Sequence, residues 1–310
     1  MVNNNRNTIK AIGLLSGGLD STLAVKLMIN QGVDVRVLNF GTPFCTCTRK
    51  GCKNEATRVA KLFGVPFKII SGGRGYIDMI KNPKYGYGRN MNPCIDCRIF
   101  MFKKAKQFME KSGACFIFTG EVLGQRPMSQ HKKALKIIER ESDLENLVVR
   151  PLSAKLLEPT IPEKKGWIDR EKLLTIQGRR RLPQMELADK LGIMDYPCPA
   201  GGCRLTDPGF AKRLRESLDY GEDTIKDIQL LKYGRHFRLD SGAKVVVGRN
   251  EEENKILLGF FDEDDILMEV IGVGSPIVLL KRSGRKEDIK KAADLCVRYS
   301  DLDDAAAADL

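Results

Sequence analysis

The apolar run AIGLL, residues 11 to 15, breaks at SGGLDST, residues 16 to 22, and an amphipathic run follows at once. A strand that stops in a glycine turn and feeds straight into a helix begins an α/β unit, and this sharply limits the folds open to the chain. Gly17 and Gly18 let the backbone fold into a concavity of N–H groups, while Ser16, Ser21 and Thr22 add hydroxyl donors at the positive end of the helix. The turn is therefore suited to phosphate. It is not a Walker A loop, because it has neither the G-x-x-x-x-G-K-[ST] spacing nor the lysine. Without that lysine it better suits a departing pyrophosphate, with chemistry at an α phosphate and Asp20 helping to place Mg²⁺.

The following 130 residues repeat the pattern. Strands are expected at Ile9 to Leu15, Val33 to Phe40, Phe67 to Ile70, Cys115 to Phe118 and Leu147 to Val149, with helices starting near Asp20, Asn54, Ile95 and Ser129. This is an α/β fold, a doubly wound parallel sheet whose ligand lies where the loops after strands one, two and four converge. Residues 1–152 form that domain. Residues 153–220 read as a connector, with EPTIPEKKGW a proline-broken linker and REKLLTIQGRRRLPQMELADKLG helical segments. Residues 221–302 read as a small α+β domain, and residues 303–310 as a frayed acidic tail.

Composition narrows the partners. A formal net charge of +12 over 310 residues points to a polyanion such as RNA. The basic residues cluster at GRRRLP, FAKRLRES and KRSGRKEDIKK, although charge runs of this kind are as often solvated faces. No apolar run of about 18 residues is present, and the N-terminus has no secretory pattern, so a cytoplasmic protein without membrane association is expected. Nine cysteines in that setting favour metal or redox chemistry over disulfides. With only His131 and His236 available, a histidine-based metal site is not expected.

In MNPCIDCRIF, Pro93 fixes the approach to a helix, so Cys94 and Cys97 fall in its first turn, where helix N–H groups favour thiolates. That suits a nucleophile, a persulfide carrier or a metal ligand; two buried apolar cysteines are the bland alternative. YPCPAGGCRLTDP supplies Cys198 and Cys203. Cys45, Cys47 and Cys52 follow strand two and read equally as a second metal or sulfur site or as a loop without a fixed role. Cys115 and Cys296 read as core residues.

SGGLDST resembles the SGGxDS signature of the PP-loop ATP pyrophosphatases, which adenylate a carbonyl oxygen and release pyrophosphate. FTGEVLGQ, with Gly120, Gly124 and Gln125, resembles the TGxxLGQ segment of the tRNA 4-thiouridine synthases, and Cys97 falls where their active cysteine sits. CPAGGCRLTDP is similar to a segment of smaller bacterial PP-loop proteins called tRNA thiouridylases. GRHFRLDSGAKVVVGRNEEENKILL resembles the NFACT-R RNA-binding domain. The resemblance implies an adenine nucleotide alpha hydrolase-like fold and an ATP-dependent tRNA sulfurtransferase. ATP would be held by Ser16, Gly17, Gly18, Asp20, Ser21, Thr22, Gly120 and Gln125, with Cys97, Cys203 and Asp20 catalytic. Arg179, Arg180, Arg181 and Arg249 are the candidate RNA contacts.

The larger synthases carry N-terminal RNA-binding modules and a rhodanese domain that are not recognised here, so sulfur is expected as sulfide or from a persulfide donor such as a cysteine desulfurase. Relatives without rhodanese domains imply a [4Fe–4S] cluster on Cys94, Cys97 and Cys203, with Cys198 as an alternative or fourth ligand. Four thiolates would also suit zinc, and a metal-free route has Cys97 carrying a persulfide that Cys203 resolves. Other readings are 2-thio rather than 4-thio chemistry, a ligase of the 7-cyano-7-deazaguanine synthase type, and a zinc-stabilised RNA-binding protein with an idle ATP site.

Overall fold

The structure, a computed structural model, describes residues 8–44, 52–196 and 203–302, with residues 52–54 described only in their backbone. Cys45, Cys47, Cys198, the side chain of Cys52 and the acidic tail lie outside the described residues. The chain divides into two compact units, Met1–Thr206 and Asp207–Leu310.

In the first unit, β1 (Lys10–Leu14), α1 (Leu19–Asn30), β2 (Asp34–Gly41), α2 (Cys52–Leu62), β3 (Phe67–Ser71), α3 (Gly73–Lys81), α4 (Cys94–Ser112), β4 (Phe116–Thr119), α5 (Lys132–Glu141) and β5 (Val148–Val149) follow in order. The short α6 (Ile161–Lys164) and then α7 (Leu182–Lys190) come after them. The five strands are parallel in the order β3-β2-β1-β4-β5. Strand side chains alternate between faces. Ala11, Val35, Val37, Phe116 and Phe118 therefore meet Ala24, Val25 and Met28 of α1 and Ala56, Val59 and Ala60 of α2. Ile12, Leu14, Leu38 and Ile117 meet Ile99, Phe102 and Ala105 of α4 on the other face. Leu14 of β1 pairs with Thr119 of β4, so the loops leaving these two strands start level and side by side. The strand order reverses between them, which is where ligands of open α/β sheets bind.

Three local expectations are corrected. Helix α5 starts at Lys132 rather than near Ser129, because the His131 ring accepts the Ala134 N–H at 3.2 Å and so caps it, while Ser129 and Gln130 are buried in the preceding turn. Residues 173–181 are not helical. Leu174 and Ile176 donate to Pro151 and Leu152, and Gln177 bridges to Leu123, so this stretch spends its backbone bonds on the loops after β4 and β5. Helix α3 was hidden by the glycines of SGGRGY; it forms because Tyr76, Ile77 and Ile80 bury one face.

The second unit contains α8 (Pro208–Asp219), α9 (Ile225–Leu230), β6 (Arg235–Arg238), β7 (Lys244–Val247), α10 (Glu251–Leu258), β8 (Ile266–Met268), β9 (Val278–Lys281) and α11 (Lys286–Arg298). Its sheet is antiparallel in the order β6-β7-β9-β8. One face, with Val245, Val247, Val278 and Leu280, packs on Ala292 and Cys296 of α11, and the other, with Val246 and Leu279, packs on Leu257 of α10. No described helix is long and apolar enough to cross a membrane.

Candidate functional site

The glycine turn is held by its own hydroxyls. Ser21 Oγ donates to the Gly18 carbonyl at 2.8 Å and lies 3.1 Å from Ser16 Oγ, and the Ser16 N–H donates to Ser21 Oγ at 3.3 Å. Thr22 Oγ1 also donates to the Gly18 carbonyl, at 3.1 Å, and its side chain is buried. Ser21 and Thr22 therefore shape the turn, and the groups it offers a ligand are exposed Ser16 and backbone N–H donors. Gly18 caps α1 without a side-chain bond, so the first-turn N–H groups of that 12-residue helix have no intrahelical acceptor. This is the electropositive end expected to meet an anion.

Two glycines are fixed by space. Gly17 has φ +83°, and a Cβ there would lie 2.7 Å from Glu55 Cβ and 2.8 Å from the Ala56 nitrogen. A Cβ on Gly120 would lie 2.4 Å from the Ser21 nitrogen and 2.6 Å from the Asp20 carbonyl oxygen. Gly120 thus serves the nucleotide loop by letting the end of β4 press against the start of α1. Gln125 completes that contact, its Nε2 donating to Asp20 Oδ2 at 3.0 Å. Asp20 Oδ1 is buried and accepts no hydrogen bond from the described residues, an unspent acceptor that fits a divalent cation or a nucleotide donor.

An ionic network lies beside this loop. Glu121 is 2% exposed and accepts from Arg150 Nε at 3.0 Å, and Arg150 also bonds Glu139. Arg98, next to Cys97, forms an ion pair with Glu121 at 3.4 Å. Arg126 follows Gln125 and is solvent-accessible in a crowded crevice; its guanidinium makes no hydrogen bond or ion pair among the described residues. The crowding, and then the charge of Arg98, hold it below the ordinary arginine range, while Cys94 and Asp20 act on it in the opposite sense.

Helix α4 opens at Cys94 after Pro93, and the Cys97 N–H donates to the Pro93 carbonyl at 2.8 Å. Residues 203–206 are laid beside it. Arg204 N–H donates to the Phe44 carbonyl at 3.0 Å, the Met91 N–H to the Leu205 carbonyl at 3.1 Å and Asn90 Nδ2 to the Thr206 carbonyl at 2.7 Å. Tyr76 of α3 is 2% exposed, its ring packed edge-on to Phe100 at 5.3 Å, with its hydroxyl 2.9 Å from Cys97 Sγ. Burial and the neighbouring Cys97 and Cys203 sulfurs push the Tyr76 phenol well up.

Burial opposes the expectation that the helix start favours thiolates. Burial pushes both Cys94 and Cys97 up, and this outweighs the lowering by Arg98 and Arg126. Among the described residues no three Cys, His, Asp or Glu side chains are grouped to hold a metal ion. The donors remain right in kind for an iron–sulfur cluster or zinc, being thiols from two segments with two arginines nearby to balance anionic charge. Cys94, Cys97 and Cys203 are reduced thiols and partly exposed.

The basic candidates differ in their surroundings. The Gly178 N–H donates to the Leu123 carbonyl at 2.7 Å, so Arg179, Arg180 and Arg181 leave from the edge of the Gly120–Gln125 loop, the first two exposed. Arg249 is bound to Glu253 at 2.8 and 3.1 Å and is half-exposed. Tyr76, Arg98, Arg126 and Glu121 escape a motif reading. Their only signals were adjacency, Arg98 to Cys97 and Arg126 to Gln125, and the helical spacing of Tyr76 with Ile80.

Comparison with known proteins matches residues 7–156 to the family described as thiamine biosynthesis protein (ThiI), and residues 234–310 to the NFACT protein RNA binding domain. The chain is 22% identical over 287 residues to the tRNA-specific 2-thiouridylase MnmA of Listeria monocytogenes serotype 4b, covering 84% of this chain and 74% of that protein. Among solved structures, a 4-thiouridine synthetase in complex with RNA and bound ATP is similar with TM-score 0.38 and 21% identity, covering 72% of this chain and 52% of that one. The U34-tRNA thiolase NcsA from Methanococcus maripaludis, with its [4Fe–4S] cluster, is similar with TM-score 0.37 and 15% identity, covering 72% and 70%.

Proposed function

We propose, for a chain that joins a ThiI-type PP-loop domain to an NFACT-type RNA-binding domain, that it is an ATP-dependent tRNA uridine thiolase. The observation that carries this reading is Asp20 at the start of α1: Gln125 Nε2 of the segment after β4 donates to its Oδ2 at 3.0 Å, and its buried Oδ1 is left unspent beside the glycine turn.

In this reading the N–H groups at the start of α1 and Ser16 grip the β and γ phosphates of ATP. Asp20, oriented by Gln125, would hold Mg²⁺ through its free oxygen, and the ion would supply positive charge beside the leaving pyrophosphate. A uracil carbonyl oxygen, O2 or O4, attacks the α phosphate, which turns a poor leaving group into AMP. Arg126 and Arg98 meet the anionic charge of the adenylate. Sulfur displaces AMP, and Cys97, steadied by the Tyr76 hydroxyl, lies where a persulfide would be presented, with Cys203 to resolve it. A [4Fe–4S] cluster would be held by Cys94, Cys97 and Cys203, with Cys198 as alternative or fourth ligand, and would supply an open iron for hydrosulfide. Arg179, Arg180 and Arg181 suit tRNA phosphates beside the loop. The setting is cytoplasmic, with sulfide or a desulfurase-derived persulfide as donor.

The test is anaerobic incubation of the full chain, before and after iron–sulfur reconstitution, with unmodified tRNA, ATP, Mg²⁺ and sulfide. Nucleoside mass spectrometry reads the product and chromatography its isomer. Thiouridine that disappears with Cys97→Ala and with Asp20→Asn supports the reading. AMP release without tRNA dependence, and no thiouridine under any condition, would overturn it.

A further inference from the structure

A cavity of about 390 Å³ opens in the second unit, between the α8–α9 hairpin, the β6–β7 turn and residues 282–285 ahead of α11. Ligand sites commonly span roughly 300–1,000 Å³. Its floor is ionic. Lys244, 5% exposed, donates to Glu222 at 2.8 Å, and Arg238 donates to the two oxygens of the same carboxylate at 2.6 and 2.9 Å. An occupant must therefore be polar.

Its charge follows from what the walls have already spent. Glu222 is neutralised by Lys244 and Arg238; Asp288 accepts Ser241 Oγ at 2.7 Å and Ser283 Oγ at 2.6 Å; Asp227 accepts Thr224 Oγ1 at 2.6 Å. Lys281 is bound by Asp265 and Asp262. Arg282 and Arg285 are the exposed cations of the wall, facing the carboxylates of Asp227 and Asp288. Among the described residues the ion pair of Arg282, to Asp227, is 3.5 Å long on a side chain 54% exposed, and such a pair is weak. The guanidinium of Arg285 makes none among the described residues. Arg282 is also held at φ +51°, its N–H tied to Asp265 Oδ1 at 3.2 Å, a strained setting that fixes the loop.

At the mouth Tyr220 is 54% exposed, with the Arg238 guanidinium 4.1 Å over its ring. Two exposed arginines held by at most one long ion pair among the described residues, a polar chamber and an exposed aromatic ring match the phosphate, ribose and base of one unstacked nucleotide. We infer that this cavity receives a single splayed-out nucleotide from a single-stranded part of the bound RNA, an inference that rests on the RNA reading above. Tyr220, Glu222 and Asp227 lie outside the residues that match the RNA-binding family, so that match does not supply the site.

The test measures binding of the full chain to a labelled single-stranded oligouridylate, a blunt RNA duplex and unmodified tRNA over a range of salt. Tyr220→Ala is expected to weaken oligouridylate binding by about fivefold or more with its salt slope unchanged, and Tyr220→Phe to keep it. Arg282→Ala and Arg285→Ala should each weaken it and lower the slope by about 0.7, while Lys255→Ala on α10 should have less effect than either. Far-UV melting checks that each variant folds. If Tyr220→Ala and Arg282→Ala bind oligouridylate as the parent does while tRNA still binds, the nucleotide pocket is rejected and the thiolase reading stands. If the parent binds no RNA, both fall.

Discussion

His236 makes the second unit sensitive to mild acid. Its Nε2 donates to the Tyr233 carbonyl at 2.8 Å, so Nδ1 of the neutral ring carries no proton, and that atom is buried without a partner among the described residues. Burial, then Lys244 and Arg213, bring the ring down to about 3, with Glu222 opposing them. An unfolded histidine titrates near 6.5, so above that pH neither state is charged and stability is complete. Below it the unfolded chain binds a proton that the native ring refuses, and stability falls by about 1.4 kcal/mol per pH unit until the native ring protonates. Between pH 7 and pH 5 the loss is about 2 kcal/mol, a value that needs only a native pKa well under 5. Glu222, depressed to about 2, adds a loss only as pH drops below the usual carboxylate range, so this window isolates the histidine. Hydrogen exchange of Val245–Val247 and Val278–Leu280, corrected for intrinsic rates, reads the free energy at both pH values. His236→Gln should remove most of the difference. An equal loss in parent and variant would refute the assignment.

Three further outcomes follow from the first unit. Gly120→Ala drives a Cβ to 2.4 Å from the Ser21 nitrogen, against backbone that cannot yield as a side-chain tip would; calorimetry should show ATP binding weakened about tenfold or more, with about 1–3 kcal/mol lost in urea unfolding. Arg150→Met removes the main partner of Glu121, leaving that buried carboxylate only Arg98 and the Thr119 hydroxyl; a loss of about 3–5 kcal/mol should lower the melting temperature by about 10 °C. Tyr76→Phe keeps the ring against Phe100 but removes the hydroxyl from Cys97, so stability should change by less than about 1.5 kcal/mol while alkylation of Cys97 slows about fivefold; an unchanged rate would mean the hydroxyl does nothing for the sulfur.

The sheet and the phosphate turn were legible because both are written in local pattern. Strand positions came within a residue or two, since each buried strand is a short apolar run closed by glycine, polar or charged residues. What pattern cannot give is where a hydroxyl points. Thr22 reads as a phosphate donor from its place in SGGLDST, yet it lies under the turn and bonds the Gly18 carbonyl. The cysteine helix shows the same limit: position near a helix start predicts thiolates, but desolvation depends on what packs around the sulfurs. Glu121 and Arg150 look like surface residues in sequence and form a buried pair only because β4 and β5 are neighbours.

The register of β1 against β4 decides how the site works. Because Leu14 pairs with Thr119, the turn after β1 and the segment after β4 emerge together, and Gly120 is small enough to close the gap between them. Gln125 is thereby brought to Asp20, and the next residue, Arg126, is carried toward the cysteine helix. Glu121 in the same segment binds Arg150 firmly and Arg98 more loosely, while Arg126 makes no ion pair among the described residues. An exposed guanidinium without an ion pair is available to an anion, and the adjoining turn is shaped for phosphate. One eight-residue stretch, TGEVLGQR, thus sets the loop, orients its carboxylate and adds a cation beside them.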